Sequence, residues 1–206
     1  MKLDFDKVAK DWDSDETKKK RASDVAKDIL RFISDTGEMS AMEYGCGTGL
    51  LGFSLLPHFK NMTFCDSSQG MMSEVEEKIK KSGYKNCNTI LIDIEKPLDT
   101  SIKYDCIFNL MVLHHIPDAE EIIKKWSESL NEGGYLCIAD LEEEDGSFHG
   151  DDFNGHKGFN KRELTEIFKK NNFNFITTSE PHVVIKKMPD GTISEYPLFL
   201  MIGKKK

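Results

Sequence analysis

The sequence predicts an α/β fold: a mostly parallel seven-stranded sheet, helices on both faces, and an antiparallel C-terminal strand. Three observations carry this expectation. Short apolar runs alternate with amphipathic stretches through the first two thirds of the chain. A glycine run, Gly45-Cys46-Gly47-Thr48-Gly49, directly follows the first apolar run. Two strand-like segments close the chain around Met188-Pro189-Asp190-Gly191, the residues of a tight turn.

The elements follow in order. Ala22, Val25, Ala26, Ile29, Leu30 and Ile33 recur at helical spacing and predict a helix over Ser23 to Ser34, stopped by Gly37. A strand over Ser40 to Tyr44 runs into the glycines, and a helix from Leu50 to Pro57 leaves them. A strand over Asn61 to Cys65 ends at Asp66. A helix from Gln69 to Lys81 buries Met71, Met72, Val75 and Ile79. A third strand, Thr89 to Ile92, ends at Asp93, and a fourth, Tyr104 to Leu110, is almost wholly apolar. Asp118 with Glu121 resembles a capping box opening a helix to Leu130. Asn131 to Gly134 read as a break, and the fifth strand as Tyr135 to Leu141. Glu142 to Gly158 read as a long loop, of the kind that is either a lid or disordered. Asn160 then caps a helix, before the final strands Phe173 to Lys186 and Thr192 to Ile202.

Composition narrows the function. Hydrophobic residues are 38% and charged residues 31% of 206, the balance of a soluble globular chain with one sizeable core. The net charge of -8 argues against a nucleic-acid partner. The basic clusters Lys18-Lys19-Lys20-Arg21 and Lys204-Lys205-Lys206 read as solvated faces. No apolar run is long enough to span a membrane, and the acidic start lacks a signal peptide's apolar stretch. Cys46, Cys65, Cys87, Cys106 and Cys137 are odd in number, widely spaced and strand-borne. They read as reduced thiols, which sets a cytoplasmic expectation.

In a parallel sheet, ligands sit beyond the carboxyl ends of the strands. The residues that follow each strand are therefore the candidates. Gly47-Thr48-Gly49-Leu50-Leu51-Gly52 also fits the dinucleotide fingerprint G-x-G-x-x-G, with Asp66 near the spacing of a ribose-binding acid. There is no P-loop motif. The ordered set is more specific than the fingerprint. It runs from Glu43-Tyr44-Gly45-Cys46-Gly47-Thr48-Gly49 through Asp66 to Leu91-Ile92-Asp93-Ile94. It continues with Asn109-Leu110-Met111-Val112-Leu113-His114-His115-Ile116 and Leu130-Asn131-Glu132-Gly133-Gly134. This series resembles the class I S-adenosylmethionine-dependent methyltransferases, especially their small-molecule branch, over roughly residues 20 to 200.

The resemblance implies a Rossmann-like fold in one domain. Residues 1–36 would be a lid segment and helix, 37–141 the cofactor-binding core, and 142–206 the acceptor-side loop, helix and hairpin. It implies S-adenosylmethionine as cofactor and Trp12 in a lid over it. Gly45, Cys46, Gly47, Thr48 and Gly49 would pass its methionine part, with Glu43 near the amino group. Asp66 would accept from both ribose hydroxyls, bordered by Ser67 and Met71. Asp93 would accept from the adenine amino group, and Ile94 would pack on the ring. Asn109 and Leu110 would flank the methionine chain through their backbone, and His114 would stand near the methyl. Taken singly, Asp66 and Asp93 also read as helix caps, Met71 as core and Trp12 as packing.

The expected reaction is in-line methyl transfer to a small-molecule oxygen, nitrogen or carbon nucleophile, giving S-adenosylhomocysteine. A general base is needed only if the acceptor arrives protonated. The loop after the fifth strand supplies His149 and His156 as candidates, with Phe148, Phe153 and Phe159 for an apolar pocket. Its ligand spacing matches no metal motif, so no metal is expected. A nicotinamide-dependent oxidoreductase and a non-catalytic binding module are the alternatives. A nucleic-acid methyltransferase is disfavoured because Asn109-Leu110-Met111-Val112 lacks the prolines of its motif. Oligomeric state is open.

Overall fold

The computed structural model describes residues 4–92, 98–150 and 152–206. The first short helix, α1, spans Phe5–Val8 and runs into a 3-10 turn, Ala9–Ser14. Helix α2 spans Glu16–Phe32 and so begins earlier than its apolar stripe suggests. Asp15 caps it, its carboxylate accepting from Thr17 N at 2.9 Å. The first turn is polar, which hides it from a reading of hydrophobic period.

The remaining elements alternate. They are β1 (Ser40–Tyr44), α3 (Leu50–Leu55), β2 (Asn61–Asp66), α4 (Gln69–Ser82), β3 (Cys87–Leu91), β4 (Tyr104–Leu110) and α5 (Ala119–Ser129). Then come β5 (Leu130–Leu141), α6 (Lys161–Lys170), β6 (Phe173–Lys187) and β7 (Ile193–Lys205). The seven strands form one sheet in the order β3-β2-β1-β4-β5-β7-β6. Pairs among β1 to β5 are parallel, and β7 runs antiparallel to both β5 and β6. The expected architecture is therefore present.

The predicted break at Asn131 to Gly134 is instead part of β5. The chain bulges there: Tyr104 pairs with Leu130, but Cys106 already pairs with Tyr135. Asp105 fastens the bulge, accepting from Asn131 Nδ2 at 2.7 Å and from Ser40 N at 2.8 Å.

Each sheet face has its own core. Ala22, Val25 and Ile29 of α2, Leu51 and Leu55 of α3, and Met72 and Val75 of α4 pack on Ala41, Phe64, Phe108 and Ala139. On the other face Ile122, Ile123 and Trp126 of α5, with Leu164 and Phe168 of α6, cover Met42, Ile107, Leu136 and Ile138. Adjacent strand residues such as Ala41 and Met42, or Ile107 and Phe108, go to opposite faces. That alternation explains why the strands read as continuous apolar runs. Among the described residues no helix is long and apolar enough to cross a membrane.

Candidate cofactor and acceptor site

The carboxyl ends of β1, β2, β4 and β5 converge on one edge of the sheet. After β1 the chain turns through Gly45, Gly47 and Gly49, with φ of 68°, 54° and 80°. L-residues with side chains rarely adopt this region, so the loop needs glycine for its shape. Gly47 N donates to Asp66 Oδ2 at 2.7 Å, tying the loop to the end of β2. A side chain on Gly47 would meet only Met71 Sδ, at 4.0 Å, so the loop leaves space there. Ser67 is exposed, whereas Met71, Thr48 and Cys46 are buried.

Glu43 is 3% exposed and accepts from Gly52 N at 2.9 Å, bracing the start of α3. Burial pushes its pKa up to about 8, against the lowering effect of that hydrogen bond. The folded chain therefore holds this proton more tightly than the unfolded chain. The resulting stabilisation is complete below the ordinary value of 4.5 and is lost as pH rises to about 8. Chemical denaturation should show stability falling over that window, and Glu43→Gln should flatten the fall. Parallel pH profiles for the two proteins would discard the assignment.

The N-terminal segment folds over this edge. Asp6 accepts from Ser68 Oγ at 2.6 Å and Gly70 N at 2.8 Å. Asp13 accepts from Thr48 Oγ1 and pairs with Lys78, both at 2.5 Å. These staples bring Trp12 against Phe5, with centroids 5.9 Å apart, and Phe5 against His115 at 6.0 Å. Lys18 Nζ sits 3.5 Å from the Trp12 ring centroid. Trp12 thus lies in a segment that covers the site.

After β4, Met111 takes a positive φ of 59°, an unusual conformation for a side-chain-bearing residue. The turn delivers His114, whose ring is 1% exposed. His114 Nδ1 is 2.6 Å from Asp140 Oδ1, and His114 N donates to Asp140 Oδ2 at 3.1 Å. Asp140, near the end of β5, is fully buried. An ionised carboxylate accepts a hydrogen bond from Nδ1–H, which keeps the proton on Nδ1 and leaves a lone pair on Nε2. Nε2 is buried with no hydrogen-bond partner among the described residues.

Among the described residues, Asn109, Arg21 and Trp126 also carry buried polar atoms without a partner. Both side-chain amide atoms of Asn109 lack partners, and so does Arg21 Nε. Arg21 belongs to the stretch read as a solvated basic face, but it is turned inward. Burial lowers its pKa, opposed by the attraction of Asp15 and Asp140. Buried polar atoms are normally satisfied, so the partnerless atoms of His114, Asn109 and Arg21 are candidates for contacts to a ligand.

The loop after β5 closes over the histidines. His149 stacks on Phe153 with centroids 4.0 Å apart and lies 5.0 Å from His114. Desolvation, then His114 and Lys186, lower its pKa to about 4, so the ring is neutral near pH 7. His156 has a different place. Its Nε2 lies 3.0 Å from the carbonyl oxygen of Ile116 and 3.2 Å from that of Pro117. Its backbone N donates to His114 O at 2.8 Å. The ring nitrogen facing those carbonyls holds a proton and anchors the loop. Asp93 and Ile94 lie outside the described residues.

Sequence reasoning therefore found the strand-end residues but missed Asp140, Arg21 and His115. Asp140 carried a signal: it is a carboxylate inside the apolar run Cys137-Ile138-Ala139-Asp140-Leu141. Arg21 gave none, because it closes the run of cations Lys18-Lys19-Lys20-Arg21.

A parallel sheet with this strand order, a reversed β7 and a glycine loop after β1 defines the Rossmann-like methyltransferase fold. The profile of a methyltransferase domain family matches residues 42–136. The chain is 30% identical over 164 residues to an uncharacterized methyltransferase of Schizosaccharomyces pombe, covering 72% of this chain and 57% of that protein. It is 32% identical over 111 residues to a malonyl-[acyl-carrier protein] O-methyltransferase of Ilyobacter polytropus, covering 52% and 42%. The crystal structure of the YcgJ protein of a Bacillus superposes with a TM-score of 0.70 at 14% identity, covering 88% of this chain and 98% of that one. This chain belongs to the class I S-adenosylmethionine-dependent methyltransferases. It spans about half the length of these two curated relatives.

Proposed function

We propose that this protein transfers the methyl group of S-adenosylmethionine to a small-molecule acceptor whose nucleophilic atom carries a proton. The observation that carries this reading is the His114–Asp140 pair with its enclosed, unpartnered Nε2. Bound S-adenosylmethionine would supply an already activated methyl on a positively charged sulfur. The residues present fit that cofactor. Arg21 is a largely buried cation whose Nε lacks a partner and is suited to a carboxylate, Asn109 offers an unpaired amide, and the glycine loop leaves room beside Met71. Asp66 offers a carboxylate suited to paired ribose hydroxyls, with Ser67 beside it.

The protein's own work is to orient the acceptor, exclude water and take a proton. Asp140 holds the proton on Nδ1 of His114, so Nε2 accepts one from the acceptor. His149, neutral near pH 7, forms a second face of the same space and is a supporting acceptor of that proton. His156 holds the loop in place. Trp12 and the staples of Asp6 and Asp13 keep the N-terminal segment closed over the glycine loop. The O-methyltransferase named among the relatives is consistent with an oxygen nucleophile.

The cofactor half is tested by thermal denaturation with S-adenosylhomocysteine and, separately, NAD. A ligand at a hundred times its Kd stabilises the fold by about 2.7 kcal/mol. The expected result is a shift with S-adenosylhomocysteine alone. Asp66→Asn should weaken its binding about tenfold, the size of one lost charge-assisted hydrogen bond. A shift with NAD alone would overturn the proposal.

A further inference from the structure

His114, His115 and His149 each offer one ring nitrogen to a common space, and these nitrogens all lie within 4.8 Å of one another. We propose that the three imidazoles form a binding site for a divalent cation of the zinc class. This departs from the expectation of no metal, and the reason is spatial. The ligands come from the β4 exit and from the loop after β5, so no short spacing motif joins them.

Four features favour a cation over a chance cluster. First, His114 has the arrangement of a metal-binding histidine. One ring nitrogen faces a buried carboxylate at 2.6 Å, and the other is enclosed with no partner. A carboxylate on the far nitrogen fixes the tautomer and strengthens the ligand. Second, three imidazole nitrogen donors suit a borderline ion such as zinc or cobalt, and not magnesium or calcium. Third, the geometry is close. A tetrahedral ion with bonds of about 2.0–2.1 Å sets its ligands roughly 3.4 Å apart. His115 and His149 are both exposed, so small shifts of their side chains, with His149 kept in its stack on Phe153, close the gap while the buried His114 stays in place. Fourth, Phe153 stacks on His149 with centroids 4.0 Å apart and orients that ring. A tetrahedral ion held by three imidazoles keeps a fourth position open.

The ion would take the lone pair of His114 Nε2, the same electrons that accept the acceptor's proton. Metal and acceptor proton therefore compete, and zinc acts as a reversible inhibitor. This consequence for turnover rests on the reading under Proposed function, whereas the binding itself does not.

The test is a titration of the tag-free, chelator-stripped full chain with Co²⁺ alone, read by its visible d–d bands and by calorimetry. One ion per chain is expected, displaced by Zn²⁺ and unaffected by excess Mg²⁺. His115→Ala and His149→Ala, both exposed and so tolerated by the fold, should each lose the d–d bands. Asp140→Asn should bind 10–100-fold more weakly. His58→Ala, at an exposed histidine elsewhere, should bind as the parent does. Equal cobalt binding by parent, His115→Ala and His149→Ala would overturn the site. Full turnover of zinc-loaded protein on a working acceptor would overturn the competition. Failure to turn over any acceptor would count against the proposed function and leave the cobalt titration to decide the site.

Discussion

Asp140→Asn should lower kcat about 10²–10⁴-fold while leaving the affinity for S-adenosylhomocysteine nearly unchanged. The carboxylate receives three donors: Nδ1 of His114 and Leu141 N on Oδ1, at 2.6 and 2.7 Å, and His114 N on Oδ2, at 3.1 Å. An amide cannot accept from all of them. With its oxygen toward Nδ1, its NH₂ faces the backbone N–H of His114. Flipped, its NH₂ faces Nδ1 and forces the proton onto Nε2. The second arrangement removes the lone pair that faces the acceptor. In the serine protease triad, the same Asp-to-Asn change costs about 10⁴ in kcat through the wrong tautomer. Steady-state kinetics paired with calorimetry decides the matter. An unchanged kcat removes His114 as proton acceptor, and a lost cofactor affinity makes Asp140 a cofactor-site residue instead.

Trp126→Ala should destabilise the fold by about 3–5 kcal/mol, the range for deleting a large buried aromatic. Trp126 is fully buried beneath α5, edge-on to Tyr44 with centroids 5.2 Å apart. It is the largest fully buried side chain, in the core that also holds Met42, Ile107 and Leu136. Domains are stable by only about 5–15 kcal/mol, so this single change removes a large share. Trp126→Phe should cost less. The indole Nε1 has no hydrogen-bond partner among the described residues, so deleting it relieves an unsatisfied donor while most of the ring volume stays. Urea midpoints of the three proteins check the order, and a Trp126→Ala loss under 1 kcal/mol would contradict the packing account.

What was legible in the sequence follows physical lines. Strand β1 and strand β4 were read to the residue, because β1 runs straight into Gly45 and β4 is a mostly apolar, buried stretch that starts after Lys103. The start of α2 was missed because Glu16 to Arg21 is polar, and a cap one residue ahead decides where it begins. The site divides the same way. Residues at or just beyond a strand end, such as Asp66 and His114, are fixed by topology and are visible as sequence positions. Asp140 and Arg21 become functional candidates only through partners distant in the chain. His149 and His156 looked equivalent, two histidines in one loop. Packing separates them, placing one ring beside His114 and the other on the carbonyls of Ile116 and Pro117.

The loop after β5 is stitched at its base. Glu142 bridges Phe159, Glu143 N and Glu144 N donate to the carbonyls of Phe159 and Lys157, and Phe159 N returns to Leu141 O at 3.0 Å. Gly158 sits so close to Glu142 O that a Cβ there would stand 2.0 Å from it. The two strands of this neck stay together whatever hangs between them. Lengthening a loop whose ends are already joined costs little, about 0.6 kcal/mol for each doubling. The loop between Asp145 and His156 can therefore change length, and with it the shape offered to the acceptor, at little cost to the neck, so long as the ties of Ser147 to Tyr196 and of Phe148 O to Lys186 are kept.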